Sequence, residues 1–143
     1  MVEPTETDEG RRTEPQREHM PRVLVVDDDD QFRRALVNSL RELTHSNVVT
    51  RDTPTGESAI AILRNEPNSF DLVLLDLTLP GINGVVTYYK IREFNQSIGI
   101  VLMTSAVNGP TARSAIQDGL KVFDKYQLPQ QLDTLLVKYP SAS

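Results

Sequence analysis

The sequence predicts an α/β domain: a five-stranded parallel sheet between two helical layers, a three-layer sandwich with five helices. Three observations carry this. Two apolar runs, Val23-Leu24-Val25-Val26 and Leu72-Val73-Leu74-Leu75, are too short for helices and too apolar for surface strands, which suits central parallel strands covered on both faces. Each run ends on aspartate, at Asp27 and Asp76. Strand-like and helix-like segments then alternate five times, the pattern of parallel strands joined by helical crossovers.

The elements follow in order. The first strand spans about 22–26. Asp29 or Asp30 caps a helix over about 30–43, whose apolar face is Phe32, Leu36, Leu40 and Leu43. A short second strand is expected at 47–51. Thr53-Pro54-Thr55-Gly56-Glu57 opens the second helix, with Ala59, Ile60, Ile62 and Leu63 inward and an end near Pro67. The third strand ends at Asp76, and Pro80, Gly81 and Gly84 break the chain before a helix to about Phe94. Ile100 to Met103 form the fourth strand, ending on Thr104-Ser105. Asn108-Gly109-Pro110 leads into a helix over about 110–118, stopped by Gly119. A fifth strand is expected at about 121–124, followed by Lys125. Pro129 suits the first turn of a last helix that buries Leu132, Leu135 and Leu136.

Composition bounds the function. The 143 residues allow one domain, about 21–139. Residues 1–20 are rich in Glu, Arg, Thr and Pro with almost nothing to bury, so they are expected to be a disordered tail, and 140–143 form a short C-terminal tail. The tail is either a docking segment or a solubilising extension. A net charge of -5 argues against a nucleic-acid-binding surface. The absence of cysteine excludes disulfides and thiol chemistry. No apolar run approaches the ~18 to 20 residues needed to cross a bilayer, and the first residues contain no apolar signal core. A cytoplasmic protein is the default.

Standing alone, an aspartate at a strand end would more simply open a turn or cap a helix. Here adjacent parallel strands bring Asp27, Asp28 and Asp76 to one sheet edge, where open α/β sheets bind ligands. Three convergent carboxylates repel unless a cation sits among them, and hard oxygen ligands select Mg²⁺ or Mn²⁺. Thr104 and Lys125 end the remaining strands at the same edge. The set suits phosphoryl transfer: a carboxylate nucleophile, a divalent cation to neutralise phosphoryl oxygens, and a hydroxyl and an ammonium to hold the rest.

On these motifs, Val23–Asp28, Asp71–Pro80, Gly81 with Gly84, Thr104 and Lys125, the chain resembles the receiver domain of two-component response regulators over about 21–138. The resemblance implies the flavodoxin-like (CheY-like) strand order 2-1-3-4-5. It implies that Asp76 accepts phosphate from a histidine kinase or phosphotransfer protein. Asp28 and Asp76 would be direct metal ligands, with the backbone carbonyl of Thr78 a third and Asp27 holding a metal-bound water. Thr104 would be the switch hydroxyl, because an ungapped reading from Ile91 through Gly99 puts it, rather than Ser105, at that position. Lys125 would pair with the phosphoryl group. For a stand-alone or truncated receiver, output is expected through a downstream effector protein, and the face of helix 4, strand 5 and helix 5 is the family's usual surface for it and for homodimers.

Some positions depart from the family. Tyr126 follows Lys125 where proline is usual, often after a cis bond; a cis bond before Tyr126 would cost ~2.5 to 4 kcal/mol, so a trans bond is expected. The segment from Gly119 to Lys125 is one residue short, so either Phe123 or Val122 takes the aromatic switch position. Thr78 and Ala106, which tune phosphoryl lifetime by position, carry no acid or amide to orient water, so slow dephosphorylation is expected. Two other readings follow: a receiver-shaped interaction module not switched by phosphate, suggested by Lys125-Tyr126, and an aspartate-nucleophile phosphatase, suggested by Asp27 and Asp29. The second is disfavoured because such enzymes use the first strand's acid as nucleophile, so no enzymatic turnover of other substrates is expected.

Overall fold

The computed structural model describes residues 20–138. The expected tails, apart from Met20, lie outside the described residues. Five parallel strands form one sheet: β1 (Arg22–Val26), β2 (Val49–Thr53), β3 (Leu72–Asp76), β4 (Gly99–Thr104) and β5 (Val122–Asp124). Their order is β2-β1-β3-β4-β5. Five α-helices alternate with them: α1 (Asp30–Leu43), α2 (Gly56–Asn65), α3 (Gly84–Phe94), α4 (Pro110–Gln117) and α5 (Leu132–Lys138). A 3₁₀ turn, Leu128–Gln131, precedes α5 and contains the Pro129 expected in the helix itself.

Alternation along the central strands divides the core into two layers, because successive side chains point to opposite faces. Val23, Val25, Leu72, Leu74, Val101 and Met103 pack with Leu36 and Leu40 of α1 and Leu132 and Leu135 of α5. Leu24, Val26, Val73, Leu75 and Leu102 pack with Ala59 and Leu63 of α2, Ile91 of α3, and Ala112 and Ala115 of α4. All five residues of β3 are buried, as a central strand with helices on both faces requires. No helix among the described residues is long and apolar enough to cross a membrane.

The second strand begins two residues later than expected. His45 and Ser46 take left-handed backbone conformations, φ 53° and 66°, which lengthen the turn after α1. The Val49 amide then donates to the Pro21 carbonyl at 2.9 Å and starts the ladder. β2 is an edge strand, and Val49, Arg51 and Asp52 are exposed on it. Its ladder sets the depth of the sheet edge: Val26 pairs with Thr53, and the Asp27 amide donates to the Thr53 carbonyl at 3.2 Å.

Candidate functional site

Each strand of the site stops at the same edge. Asp27 follows β1, and Asp76 ends β3 opposite Met103 of β4. Thr104 ends β4, and its carbonyl accepts from the Lys125 amide at 2.9 Å. Asp27 and Asp76 are 0% and 2% exposed, so the two acids are desolvated, while Asp28 is open to solvent.

The structure brings the three carboxylates together: one oxygen from each of Asp27, Asp28 and Asp76 lies within 4.8 Å of the others. The donor set is all oxygen and anionic, with no imidazole or thiolate, which fits a hard divalent cation such as Mg²⁺. Asp76 Oδ1 is fixed by the Thr78 amide at 3.0 Å and the Thr78 hydroxyl at 3.2 Å, both donating to it. The Lys125 ammonium donates to Asp27 Oδ2 at 2.8 Å and to Asp76 Oδ2 at 3.4 Å.

These contacts set the electrostatics. Burial, followed by the charge of Asp27, pushes the Asp76 carboxyl above the usual carboxylate range, and the Thr78 donors and Lys125 offset only part of that. Burial opposes the charge on Lys125, but its hydrogen bond to Asp27 and the negative charge of Asp76 outweigh that and raise its pKa. The short contact belongs to Asp27, so Lys125 relieves Asp76 incompletely.

Of the acid run 27–30, only the first two residues join the cluster. Asp29 caps α1, its Oδ1 accepting from the Gln31 and Phe32 amides at 3.0 and 3.1 Å. Asp30 pairs with Arg33. Thr104 is buried at the end of β4, and its hydroxyl oxygen accepts from the Ala106 amide at 3.1 Å. That contact leaves the hydroxyl proton available to donate elsewhere.

Two residues around the site, Arg33 and Phe32, carried no site signal in the sequence, and Tyr126 stood out only as the residue after Lys125. Arg33 donates to the Asp27 carbonyl at 2.7 Å and pairs with Asp52, bracing the loop after β1. The Phe32 ring lies 4.5 Å from the Lys125 ammonium. Tyr126 meets that ring edge-on at 6.2 Å, and no cis peptide occurs among the described residues, so the bond before Tyr126 is trans as expected. Helical periodicity gave Phe32 to the core but not that the first turn of α1 lies over the pocket.

Residues 23–135 match the family model of the response regulator receiver domain. A transcriptional regulatory protein, CitT of Halalkalibacterium halodurans, is 27% identical over 82% of this chain and 53% of its own length. The 3',5'-cyclic-nucleotide phosphodiesterase regA of Dictyostelium discoideum is 33% identical over 80% of this chain but 15% of its own length. The chain thus spans about half or less of these relatives. The fold is similar to a chain of the CheX-CheY-BeF3-Mg²⁺ complex from Borrelia burgdorferi, with TM-score 0.65, 23% identity, and 81% and 89% of the two chains covered. With a sheet in the expected order, acids gathered at its carboxyl edge and a match across nearly the whole described domain, the chain belongs to the response regulator receiver domain family, within two-component signalling.

Proposed function

We propose that Asp76 accepts a phosphoryl group from a histidine kinase or phosphotransfer protein and that the domain then signals to a downstream effector protein. The observation that carries this reading is the asymmetry of Asp76: Thr78 holds Oδ1, while Oδ2 faces Lys125 in the acidic pocket. Asp76 Oδ2 is therefore the nucleophile. It attacks phosphorus, the phosphorus–nitrogen bond of the phosphohistidine breaks, and its electron pair leaves with the imidazole, giving an acyl phosphate on Asp76. Asp28, Asp76 and the Thr78 backbone carbonyl would hold Mg²⁺, and Asp27 would hold it through a water; the ion would supply positive charge to offset that of the phosphoryl oxygens. Lys125 pairs with one phosphoryl oxygen, and the Thr104 hydroxyl donates to another. The similar Borrelia complex contains BeF3 and Mg²⁺, in keeping with such a pocket.

The test is incubation with acetyl phosphate and Mg²⁺ followed by mass spectrometry. A phosphoryl adduct is expected on Asp76, and it is expected to vanish in Asp76→Asn and on chelating the metal. An unmodified wild-type chain, correctly folded, overturns the proposal. The second reading, an interaction module not switched by phosphate, rests on Tyr126 standing directly after Lys125; it gains if partner binding is identical with and without the adduct.

The adduct is expected to be long-lived. Thr78 and Ala106 flank the pocket without an acid or amide to orient an attacking water. Following adduct loss after the donor is removed checks this, and a lifetime of seconds contradicts it. For output, α4, β5 and α5 offer exposed Ile116 and Val137, which supports effector binding or a homodimer through that face. A cytoplasmic site of action fits a domain loaded by a kinase.

A further inference from the structure

We infer that Phe32, buttressed by Tyr126, is a positioning residue for Lys125, so that an aromatic pair spanning α1 and the loop after β5 sets the rate of phosphoryl transfer. The inference rests on the reading of Asp76 as phosphoacceptor. Lys125 is 5% exposed, and its ammonium has carboxylates on one side, Asp27 at 2.8 Å and Asp76 at 3.4 Å. The Phe32 ring, 4.5 Å away, is a further partner for that charge, and cation–π attraction strengthens when both groups are shielded from water.

The ring is itself held in place. Phe32 stands in the first turn of α1, where its amide donates to the capping carboxylate of Asp29. From across the pocket, Tyr126 presses edge-on against it at an interplanar angle of 89°. Tyr126 is 66% exposed, so burial does not account for its placement; its own amide is tied to Asp124 Oδ1 at 3.0 Å. The pair thus links the element carrying Asp27, Asp28 and α1 to the one carrying Lys125.

The chemistry gives the ring a role at one moment. Before transfer Lys125 is shared between two carboxylates. During transfer those carboxylates are drawn toward the cation and the phosphorus, and Lys125 must turn its charge to a phosphoryl oxygen. A neutral π face attracts the ammonium without competing as an anion, so it keeps the ammonium in the pocket while its partners change. An aliphatic side chain of similar bulk fills the space but lacks that attraction.

The experiment compares rates of Asp76 modification by acetyl phosphate with saturating Mg²⁺ in the full chain, its Phe32→Leu, Phe32→Tyr and Tyr126→Ala variants, each with its urea midpoint. Phe32→Leu is expected to react ~5-fold more slowly, the rate equivalent of an attraction of ~1 kcal/mol. Phe32→Tyr, which keeps the π face, is expected within about twofold of wild type. Tyr126→Ala is expected to react about twofold more slowly with an unchanged urea midpoint, because the residue is largely exposed. If Phe32→Leu matches wild type, or if Phe32→Tyr is slowed as much as Phe32→Leu, the positioning role is overturned while the phosphoacceptor reading stands. If the wild-type chain is not modified, the phosphoacceptor reading falls and takes the inference with it.

Discussion

Lys125→Met is expected to destabilise the metal-free domain by about 3–5 kcal/mol, the cost of leaving buried carboxylates without their cation. Asp27 and Asp76 are both within reach of the one ammonium and both almost fully desolvated. Removing it leaves two like charges facing each other, with Asp28 close by. Gains from a more apolar side chain are smaller, since burying a methionine contributes only about 1.5–3 kcal/mol. Two rescues distinguish this mechanism from simple loss of packing. Asp76→Asn in the Lys125→Met background removes one of the opposed charges, and millimolar Mg²⁺ supplies a replacement cation; each is expected to recover most of the loss. Urea denaturation with and without Mg²⁺ reads both. Failure of both rescues shows that the loss does not come from the opposed carboxylate charges.

The same pair gives a sign to the pH dependence. Asp76 has its folded pKa raised, so the folded state binds a proton more readily than the unfolded chain does. Its contribution to stability is therefore fully present below the unfolded value, about 3.9, and is lost as pH rises through the folded pKa. Lys125 is also raised, so its contribution holds below about 10.4 and is lost as pH rises through its own folded pKa. In the metal-free wild type the Asp76 contribution is thus lost on leaving the acid range and the Lys125 contribution at high pH. Lys125→Met deepens the first loss and abolishes the second.

What the sequence made legible follows from where the chain is buried. β1, β3 and β4 stand out because strands covered on both faces must be apolar throughout, and Asp27 and Asp76 stand out because they end those runs. β2 was misplaced because an edge strand needs no such run, and because the left-handed turn at His45 and Ser46 is made without glycine. The choice between Asp29 and Asp30 as cap turned on backbone: Asp29 is extended at φ -87° and ψ 108°, while Asp30 is already helical. Arg33 and Phe32 were invisible as site residues for another reason. Their roles depend on the angle at which α1 leaves the sheet, and the helical period fixes a face without fixing that angle.

Gly84→Ala is expected to cost about 3 kcal/mol or more, and to disturb the phosphoacceptor strand as it does so. Gly84 begins α3, and its amide donates to the Leu77 carbonyl at 2.8 Å, drawing the helix start onto the end of β3. A Cβ there would overlap the Asp76 carbonyl oxygen and lie 2.6 Å from Leu77 Cα. Both obstacles are backbone, so the strand end carrying Asp76 and the start of α3 must separate. The helix-propensity gain of alanine over glycine, about 1 kcal/mol at most, does not offset this. Two other glycines calibrate the result. At Gly56 the added carbon meets side chains, Thr87 Oγ1 and Ile82 Cγ1, and Thr87 can rotate at the loss of its hydrogen bond to the Asn83 carbonyl; about 1–2 kcal/mol is expected. At Gly119 nothing lies within 4 Å and only the φ of +89° resists, a strain of about 1 kcal/mol. Urea midpoints are therefore expected to fall in the order Gly119→Ala, Gly56→Ala, Gly84→Ala from least to most damaging. Only Gly84→Ala is expected to slow Asp76 modification under conditions where the domain is still folded, since it alone forces a change in the backbone that carries the acceptor. Equal modification rates in folded Gly84→Ala and wild type would mean that the helix start yields and the end of β3 does not.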